Sequence, residues 1–290
     1  MILDDLDARP GSATSVLRTV VGLYARDLGG RLAAADLVAL LGAAGVAPGA
    51  VRSAVSRAKG KGLLEAEDVD GRAGYRLAAG AEAMLERGDR RIFGYRLQGG
   101  DDPWCLVSFS IPEERRDARH QLRRHLAGLG CGTVATGLWI CPGHLVDEVE
   151  GVLDGLGLRD AATVFVAGAP RVAGSLADSV ARWWDLDDLA AKHRAFLAAH
   201  PDPGAGADGT APDEAFARWV RAVDDWRPLP YADPGLPGAV LPRAGRGRRG
   251  SRGSPPCGPR TPARPPRTCA PSSLRSGHER RRPSHPGPHP

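Results

Sequence analysis

Hydrophobic positions near the start of the chain recur at helical spacing and predict three short helices. The first runs from about Ser12 to Tyr24, the second from about Ala34 to Leu41, and the third begins at Pro48. Proline suits the first position of a helix, because its missing N–H would have no helical partner there. The apolar positions of the third helix share one face, which we expect to be buried. They are Val51, Ala54, Val55 and Ala58.

The other face of the third helix is polar, and residues 48–61 contain no acidic side chain. Its side chains can donate hydrogen bonds to phosphate oxygens or to base edges in a DNA major groove. They are Arg52, Ser53, Ser56, Arg57 and Lys59, with Lys61 just past the helix between Gly60 and Gly62. Two short strands, 63–66 and 74–77, follow and enclose a polar segment with Asp70-Gly71 as its turn.

This order, with a further helix around residues 79–86, predicts a winged helix-turn-helix domain over residues 12–91, in which the third helix enters the groove. The alternative is a small helical domain whose third helix has a solvated polar face. If DNA is bound, each exposed donor has a predicted role. Arg52, Ser53, Ser56 and Arg57 contact bases and phosphates, Lys59 and Lys61 contact phosphates, and Arg72 in the hairpin contacts the backbone or the adjacent minor groove.

The pattern changes after a Gly/Asp-rich break at residues 99–103. Residues 103–170 predict the order β-α-β-β-α-β, which is typical of a ferredoxin-like domain. Residues 180–242 predict a C-terminal helical domain with helices over about 186–200 and 213–225. Four of the six tryptophans lie in or beside this last region, which favours a packed core. The predicted fold class is therefore α+β, with a tail at residues 243–290.

The basic excess of the chain lies in that tail. The formal net charge is +5 at pH 7, but residues 243–290 hold twelve arginines and one acid. The preceding residues carry 27 basic and 33 acidic side chains, a net charge of about −6, so DNA binding must depend on a local patch. The tail is rich in Arg, Pro, Gly and Ser and is predicted to be disordered. We interpret its abrupt composition as a frameshifted gene end, and a polybasic DNA-binding arm is the alternative.

Motifs for catalysis or metal binding are missing from the sequence. The five cysteines form no C-x-x-C pair and have no histidine at zinc spacing. No P-loop, G-x-S-x-G or H-E-x-x-H motif occurs. We therefore predict no enzyme activity, no cofactor and no metal. No apolar run approaches the ~18 residues that span a bilayer, and no N-terminal signal segment is present, so we expect a cytoplasmic protein that does not bind membranes.

Three segments, in order, resemble the PaaX-type transcriptional repressors of phenylacetate catabolism over roughly residues 12–242. The recognition helix and wing of that family are similar to the segment VRSAVSRAKGKGLL, which is followed here by GRAGYRLA. The stretch from Trp104 to Pro142 resembles the central domain of the family. The C-terminal domain of the family is similar to two further segments, DEAFARWV and WRPLPYADPGLPGAVLP. The resemblance implies a homodimeric repressor that binds palindromic double-stranded DNA and is released by an acyl-CoA effector such as phenylacetyl-CoA.

Two departures from related patterns affect this interpretation. The central domain is similar to small ferredoxin-like nucleases in which an aspartate at the end of the first strand holds a metal, whereas this strand ends in Ser110. A non-catalytic domain is therefore expected rather than a metal-dependent nuclease. Members of the family also continue with helical sequence after residue 242, whereas this chain continues with the basic tail. Because residues 1–242 are acidic overall, one further alternative remains. It is a protein-interaction module whose winged helix no longer binds DNA.

Overall fold

The computed structural model describes residues 8–201 and 211–241. The fold is α+β and contains two antiparallel sheets among these residues. The chain divides into two compact units. The N-terminal unit comprises residues 8–86 and 211–225, and the central unit comprises residues 87–201 and 226–241. The predicted tail at residues 243–290 lies outside the described residues.

The N-terminal unit contains helices and a small sheet. Its helices are α1 (Ala13–Val20), α2 (Ala34–Ala43), α3 (Pro48–Gly60), the first part of α4 (Ala81–Phe93) and most of α9 (Pro212–Trp226). Its strands are β1 (Arg31–Ala33), β2 (Leu64–Val69) and β3 (Arg72–Leu77), in the sheet order β1-β3-β2. The three predicted helices and two predicted strands are all present, and β1 is an additional strand that the sequence analysis missed.

The first helix is shorter than predicted because its geometry changes partway. Ser12 caps α1 by accepting a hydrogen bond from the Ser15 N–H. After Val20 the chain continues as a π-helical turn, Val21–Ala25. The apolar side chains predicted to share one face of this helix are buried, as are the apolar positions of α3. The core of the unit thus forms where α1, α2 and α3 meet.

Helix α9 belongs to this same core although it is distant in sequence. Phe216, Val220 and Val223 are buried on one face of α9, and the Phe216 ring lies 5.5 Å from the ring of Tyr24 between centroids. Asp224 is 1% exposed and accepts three hydrogen bonds from the start of the unit. The donors are the Gly11 N–H at 2.7 Å, the Ser15 hydroxyl at 2.6 Å and the Thr19 hydroxyl at 2.8 Å.

By their contacts, residues 211–225 group with the N-terminal unit. The physical reason is the apolar face of α9, which completes a core that the N-terminal helices leave open. An amphipathic pattern predicts a helix with a buried face, but it does not identify the surface on which that face packs.

The central unit is built on a four-stranded antiparallel sheet. Its strands are β4 (Trp104–Phe109), β5 (Gly132–Ala135), β6 (Leu138–Pro142) and β7 (Ala162–Ala167), in the sheet order β5-β6-β4-β7. Helix α5 (Arg116–Gly128) follows β4, and α6 (Val146–Gly155) follows β6. The predicted order β-α-β-β-α-β is therefore observed. The remaining helices are α7 (Leu176–Trp183), α8 (Leu186–Ala199) and α10 (Leu229–Ala232).

Both faces of the sheet are covered at its central strands, β4 and β6. Cys105, Val107 and Phe109 alternate along β4 and pack with the buried residues of α5 and α6. Trp104 and Ile140 face the other way and pack with Trp184 and nearby residues. The Trp184 indole N–H donates to the Gly130 carbonyl oxygen at 2.7 Å. Trp184 therefore packs into the core of the central sheet.

Asp233 links three segments of the central unit. It lies within 2.7 Å of the His193 Nε2 on α8 and accepts a hydrogen bond from the Tyr95 hydroxyl at 3.0 Å. Burial acts to raise the pKa of Asp233, but the bonds from His193 and from the Gly235 N–H outweigh it and lower that pKa. The ionised carboxylate thus holds α8 beside the segment that precedes the sheet.

Candidate nucleic-acid interface

Helix α3 presents two chemically different faces because its sequence separates them. Pro48 occupies the first turn, and the buried side chains Val51, Ala54, Val55 and Ala58 hold the helix on the core. The helix ends at Gly60, and Gly62 adopts a φ of 69°, which is accessible to glycine at little cost. The opposite face is consequently fixed in its orientation toward solvent.

All six residues predicted on and just after this helix are exposed. They are Arg52, Ser53, Ser56, Arg57, Lys59 and Lys61. Among the described residues, no hydrogen bond or ion pair engages the side chains of Arg52 or Lys59. These two cations are thus available to bind an anionic partner.

Arg57 differs from its neighbours because its side chain has an internal partner. Its Nε donates to the Thr14 hydroxyl at 2.7 Å, at the start of α1. This bond fixes the guanidinium group while the terminal nitrogens remain free to form a bidentate contact. Sequence analysis missed Thr14, because a hydroxyl on the first helix carries no pattern that relates it to the third.

Helices α2 and α3 meet at a sharp angle. The chain bends by 118° between them, across residues 44–47, where Gly45 adopts a φ of 90°. An angle of about 90–120° with a turn of three or four residues is typical of helix-turn-helix motifs. Because α2 and its turn pack behind α3, the polar face of α3 projects from the unit.

The hairpin after α3 has longer strands and a shorter connecting loop than predicted. Strands β2 and β3 pair from Leu64↔Leu77 to Val69↔Arg72, so most of the predicted polar loop is strand. Asp70 and Gly71 form the turn with positive φ values of 54° and 74°, as the Asp-Gly sequence predicts. The Gly71 N–H also donates to the Asp68 carboxylate at 2.6 Å.

The hairpin carries both signs of charge. Arg72 is exposed beside the turn, and no partner engages its side chain among the described residues. On the strands, Arg76 pairs with Glu65, and Arg31 of β1 pairs with Glu67 at 3.1 Å. These two acids are therefore paired within the sheet. Helix α3, which carries no acid, is more basic than the hairpin.

Residues 8–201 and 211–241 contain no cluster of metal-ligating side chains. No group of three or more His, Cys, Asp or Glu side chains there could hold a metal ion. Strand β4 ends at Phe109, and the residue that follows it is Ser110, which has no carboxylate. No single described helix is long and apolar enough to cross a membrane, although the bent pair α2 and α3 would qualify by length and composition together.

Comparison with known families gives three matches in chain order. Residues 12–81 match the PaaX-like protein family, residues 98–178 match the PaaX protein central Cas2-like domain, and residues 184–252 match the PaaX-like protein C-terminal domain. The last match extends into the segment that the sequence analysis assigns to the tail.

Two individual proteins are similar to this chain over most of its length. The transcriptional repressor PaaX of Escherichia coli K12 is 25% identical over 243 residues, which cover 82% of this chain and 76% of that protein. The solved structure of the uncharacterized protein Rv0674 from Mycobacterium tuberculosis is 22% identical and covers 79% of this chain and 88% of its own, with a TM-score of 0.47.

The curated relative is a transcriptional repressor by name. The three ordered domain matches show that this chain belongs to the PaaX-type family.

Proposed function

We propose that this protein is a transcriptional repressor whose N-terminal unit binds double-stranded DNA as a winged helix-turn-helix. The observation that carries the proposal is the exposed basic face of α3, held at 118° to α2 on an otherwise acidic body. Kinship with the Escherichia coli repressor supports it. We further propose that the protein acts in the cytoplasm, where its DNA is.

The residues of α3 divide into two roles in this proposal. Arg52, Ser53, Ser56 and Arg57 lie on the helix proper and contact base edges and phosphates, with Arg57 oriented by Thr14. Lys59 and Lys61 lie at the helix end and contact phosphates, and Arg72 contacts the backbone or the adjacent minor groove. A Lys61→Ala change then weakens binding to all DNA sequences alike, because phosphates carry no sequence information.

We propose that the repressor acts as a homodimer on a palindromic operator. A two-fold dimer with one recognition helix per subunit requires half-sites about 10 bp apart or a multiple of that spacing. We also propose that an acyl-CoA, such as phenylacetyl-CoA, releases the repressor from DNA. The central ferredoxin-like domain is non-catalytic in this scheme.

Fluorescence anisotropy on DNA from upstream of the chain's own gene tests the proposal. The Arg52→Ala, Lys59→Ala double variant should lose affinity, and the slope of log K against log salt should become shallower by about one for each phosphate contact removed. Arg218→Ala is the matched control, because Arg218 is exposed on α9 of the same unit but lies outside α3. Equal affinity of the double variant and the control would refute the assignment.

A protein-interaction module is the second candidate, and the charges of the hairpin favour it. Asp68 lies at the turn close to Arg72 and would repel a DNA backbone. In that case the full-length protein would bind none of its own upstream DNA at low salt, where electrostatic binding is strongest. The same anisotropy measurement at about 50 mM salt therefore separates the two candidates.

A further inference from the structure

Helix α5 of the central unit carries a row of basic side chains that the proposed α3 interface does not include. One side of α5 is fixed in the core, because Leu122 and Leu126 are fully buried. The opposite side carries Arg116, His120 and Arg123, all of them exposed. Their spacings of four and three residues place them on one face of the helix. We call these three side chains the α5 stripe.

The α5 stripe is not neutralised within the described part of the protein. Among the described residues, no hydrogen bond or ion pair engages the side chains of Arg116, His120 or Arg123. The neighbouring Arg119, by contrast, donates to the Glu113 carboxylate at 2.7 Å. Local ion pairing therefore accounts for Arg119 but leaves the two arginines of the stripe available to a partner.

Opposite charges are kept on separate helices in this unit. Helix α6 packs beside α5 and contains four acids and no basic residue, whereas α5 contains four arginines and one acid. The acid Glu150 of α6 pairs with Arg159 at 2.7 Å, and no ion pair joins α6 to Arg116 or Arg123 in the described residues. A local positive potential therefore remains over the exposed face of α5.

The composition and shape of this face indicate the class of partner. None of the large apolar side chains exposed in the described part of the chain lies on α5, although protein interfaces usually have an aromatic or aliphatic anchor at their centre. The exterior of a helix is convex and does not enclose a small anion. A polymer with repeated phosphates, which needs charge and hydrogen-bond donors rather than apolar contacts, fits this face best.

The α5 stripe is long enough to contact more than one phosphate. Arg116 and Arg123 are separated along the helix axis by about 10 Å, at roughly 1.5 Å per residue. Each strand of a DNA duplex has one phosphate about every 3.4 Å of the duplex axis. Arginine donates to phosphate oxygens in a bidentate manner, and the ring of His120 has at least one N–H donor in either protonation state.

We infer that the α5 stripe is a second DNA-contacting surface, which binds the phosphate backbone of a duplex without reading its sequence. The inference rests on the proposed function for its partner, DNA, but not for its residues, which belong to the central unit. The central unit thus contributes affinity and salt dependence, whereas α3 determines the sequence preference.

Fluorescence anisotropy of the full chain on duplex DNA from upstream of its own gene tests this inference. Arg116→Ala with Arg123→Ala should weaken binding by at least about tenfold at about 50 mM salt. The slope of log K against log salt should become shallower by about two, one for each phosphate contact removed. An unrelated duplex of equal length should lose affinity by the same factor, because phosphates carry no sequence information.

Arg171→Ala with Arg194→Ala is the matched control. It removes the same number of positive charges from exposed arginines of the same unit, outside α5. We expect the control to stay within about twofold of the unchanged protein, because isolated surface charges contribute little. Equal losses in the two double variants would show an effect of net charge alone and would overturn the inference.

A conservative variant and an unfolding measurement exclude a merely structural effect. Arg116→Lys with Arg123→Lys should bind DNA more tightly than the alanine variant, because lysine keeps the charge that attracts phosphate. Urea unfolding of the alanine variant should match that of the control, since the substituted side chains are exposed. Lysine and alanine variants of equal affinity would contradict a phosphate contact.

A fluorescent poly-glutamate peptide tests the other polyanion that such a surface can bind. If the alanine variant loses affinity for poly-glutamate but not for DNA, the α5 stripe binds an acidic polypeptide and the inference is wrong. We expect the loss for DNA to be the larger of the two, because a carboxylate chain lacks the regular phosphate spacing of a duplex.

The same anisotropy measurements separate this inference from the proposed function. If the α5 alanine variant weakens binding but Arg52→Ala with Lys59→Ala does not, α5 contacts DNA and the assignment of α3 fails. If only the α3 variant weakens binding, the α5 inference fails and the repressor proposal stands. If the unchanged protein binds no DNA at about 50 mM salt, where electrostatic binding is strong, both fail.

Discussion

Replacement of Asp224 by alanine is the most severe single change that we expect for the N-terminal unit. The carboxylate is 1% exposed and accepts hydrogen bonds from the Gly11 N–H and from the hydroxyls of Ser15 and Thr19. Asp224→Ala removes the common acceptor from the Gly11 N–H and from the buried hydroxyls of Ser15 and Thr19. The variant therefore combines a lost network with a small cavity.

The magnitude follows from the number and type of these bonds. A hydrogen bond to a charged group contributes about 1.5–3 kcal/mol. The contributions do not add fully, because Ser15 and Thr19 share one carboxylate oxygen. Removal of one member of a buried charged network typically costs about 3–5 kcal/mol, and we expect this loss for Asp224→Ala. That loss is a large part of the roughly 5–15 kcal/mol by which domains are stable.

Hydrogen exchange of the α1 amides, Ala13–Val20, is the appropriate assay because it reports on the N-terminal unit alone. Protection of these amides should fall by an amount equivalent to about 3–5 kcal/mol in Asp224→Ala, and urea unfolding should shift in the same direction. Arg221→Ala is the control, since Arg221 is exposed on the same helix and should change stability by less than about 0.5 kcal/mol. A loss below about 1 kcal/mol, or one equal to the control, would refute the reasoning.

Three further predictions concern separate parts of the molecule. Arg57→Ala should weaken binding to the preferred DNA by about 1–3 kcal/mol, and Arg57→Lys should not restore it because lysine cannot form the bidentate contact. Equal dissociation constants for the unchanged protein and for Arg57→Lys, measured by fluorescence anisotropy, would contradict this prediction. The unfolding free energy should fall as pH decreases from 6.5 to about 4. In this range His144 of the unfolded chain binds a proton, whereas the buried ring in the folded protein does not. Urea titrations should show a flatter dependence in His144→Gln, and parallel curves would exclude His144 as the cause. Gly132→Ala should destabilise the central unit by about 1–3 kcal/mol, since its Cβ would lie 2.7 Å from the Trp184 ring. In the same kind of urea titration, Gly42→Ala should leave the free energy of unfolding unchanged or raise it, because its Cβ would meet nothing within 4 Å.

The elements that sequence predicted correctly are those specified by local patterns. The buried stripe of α3 and its polar face follow from spacing alone, and the Asp70-Gly71 turn follows from residues that accept positive φ. The order of elements in the central sheet was also predictable, because each strand and helix carries its own periodicity.

The elements that sequence missed depend on contacts between distant segments. Strand β1 has three residues, too few for a period, and exists because it pairs with β3. The Arg57–Thr14 hydrogen bond joins residues 43 positions apart.

Asp224 has a consequence for how the protein is made. Its bond to Gly11 joins residues 213 positions apart, so the ribosome must synthesise residues 87–201 of the central unit before the N-terminal unit can acquire its last helix. Until then the nascent chain presents an incomplete apolar core, which is the type of surface that chaperones recognise. A recombinant fragment that ends at residue 86 would remain permanently in that state. A DNA-binding fragment of this protein should therefore be expressed with residues 211–226 joined to it, rather than by truncation after the hairpin.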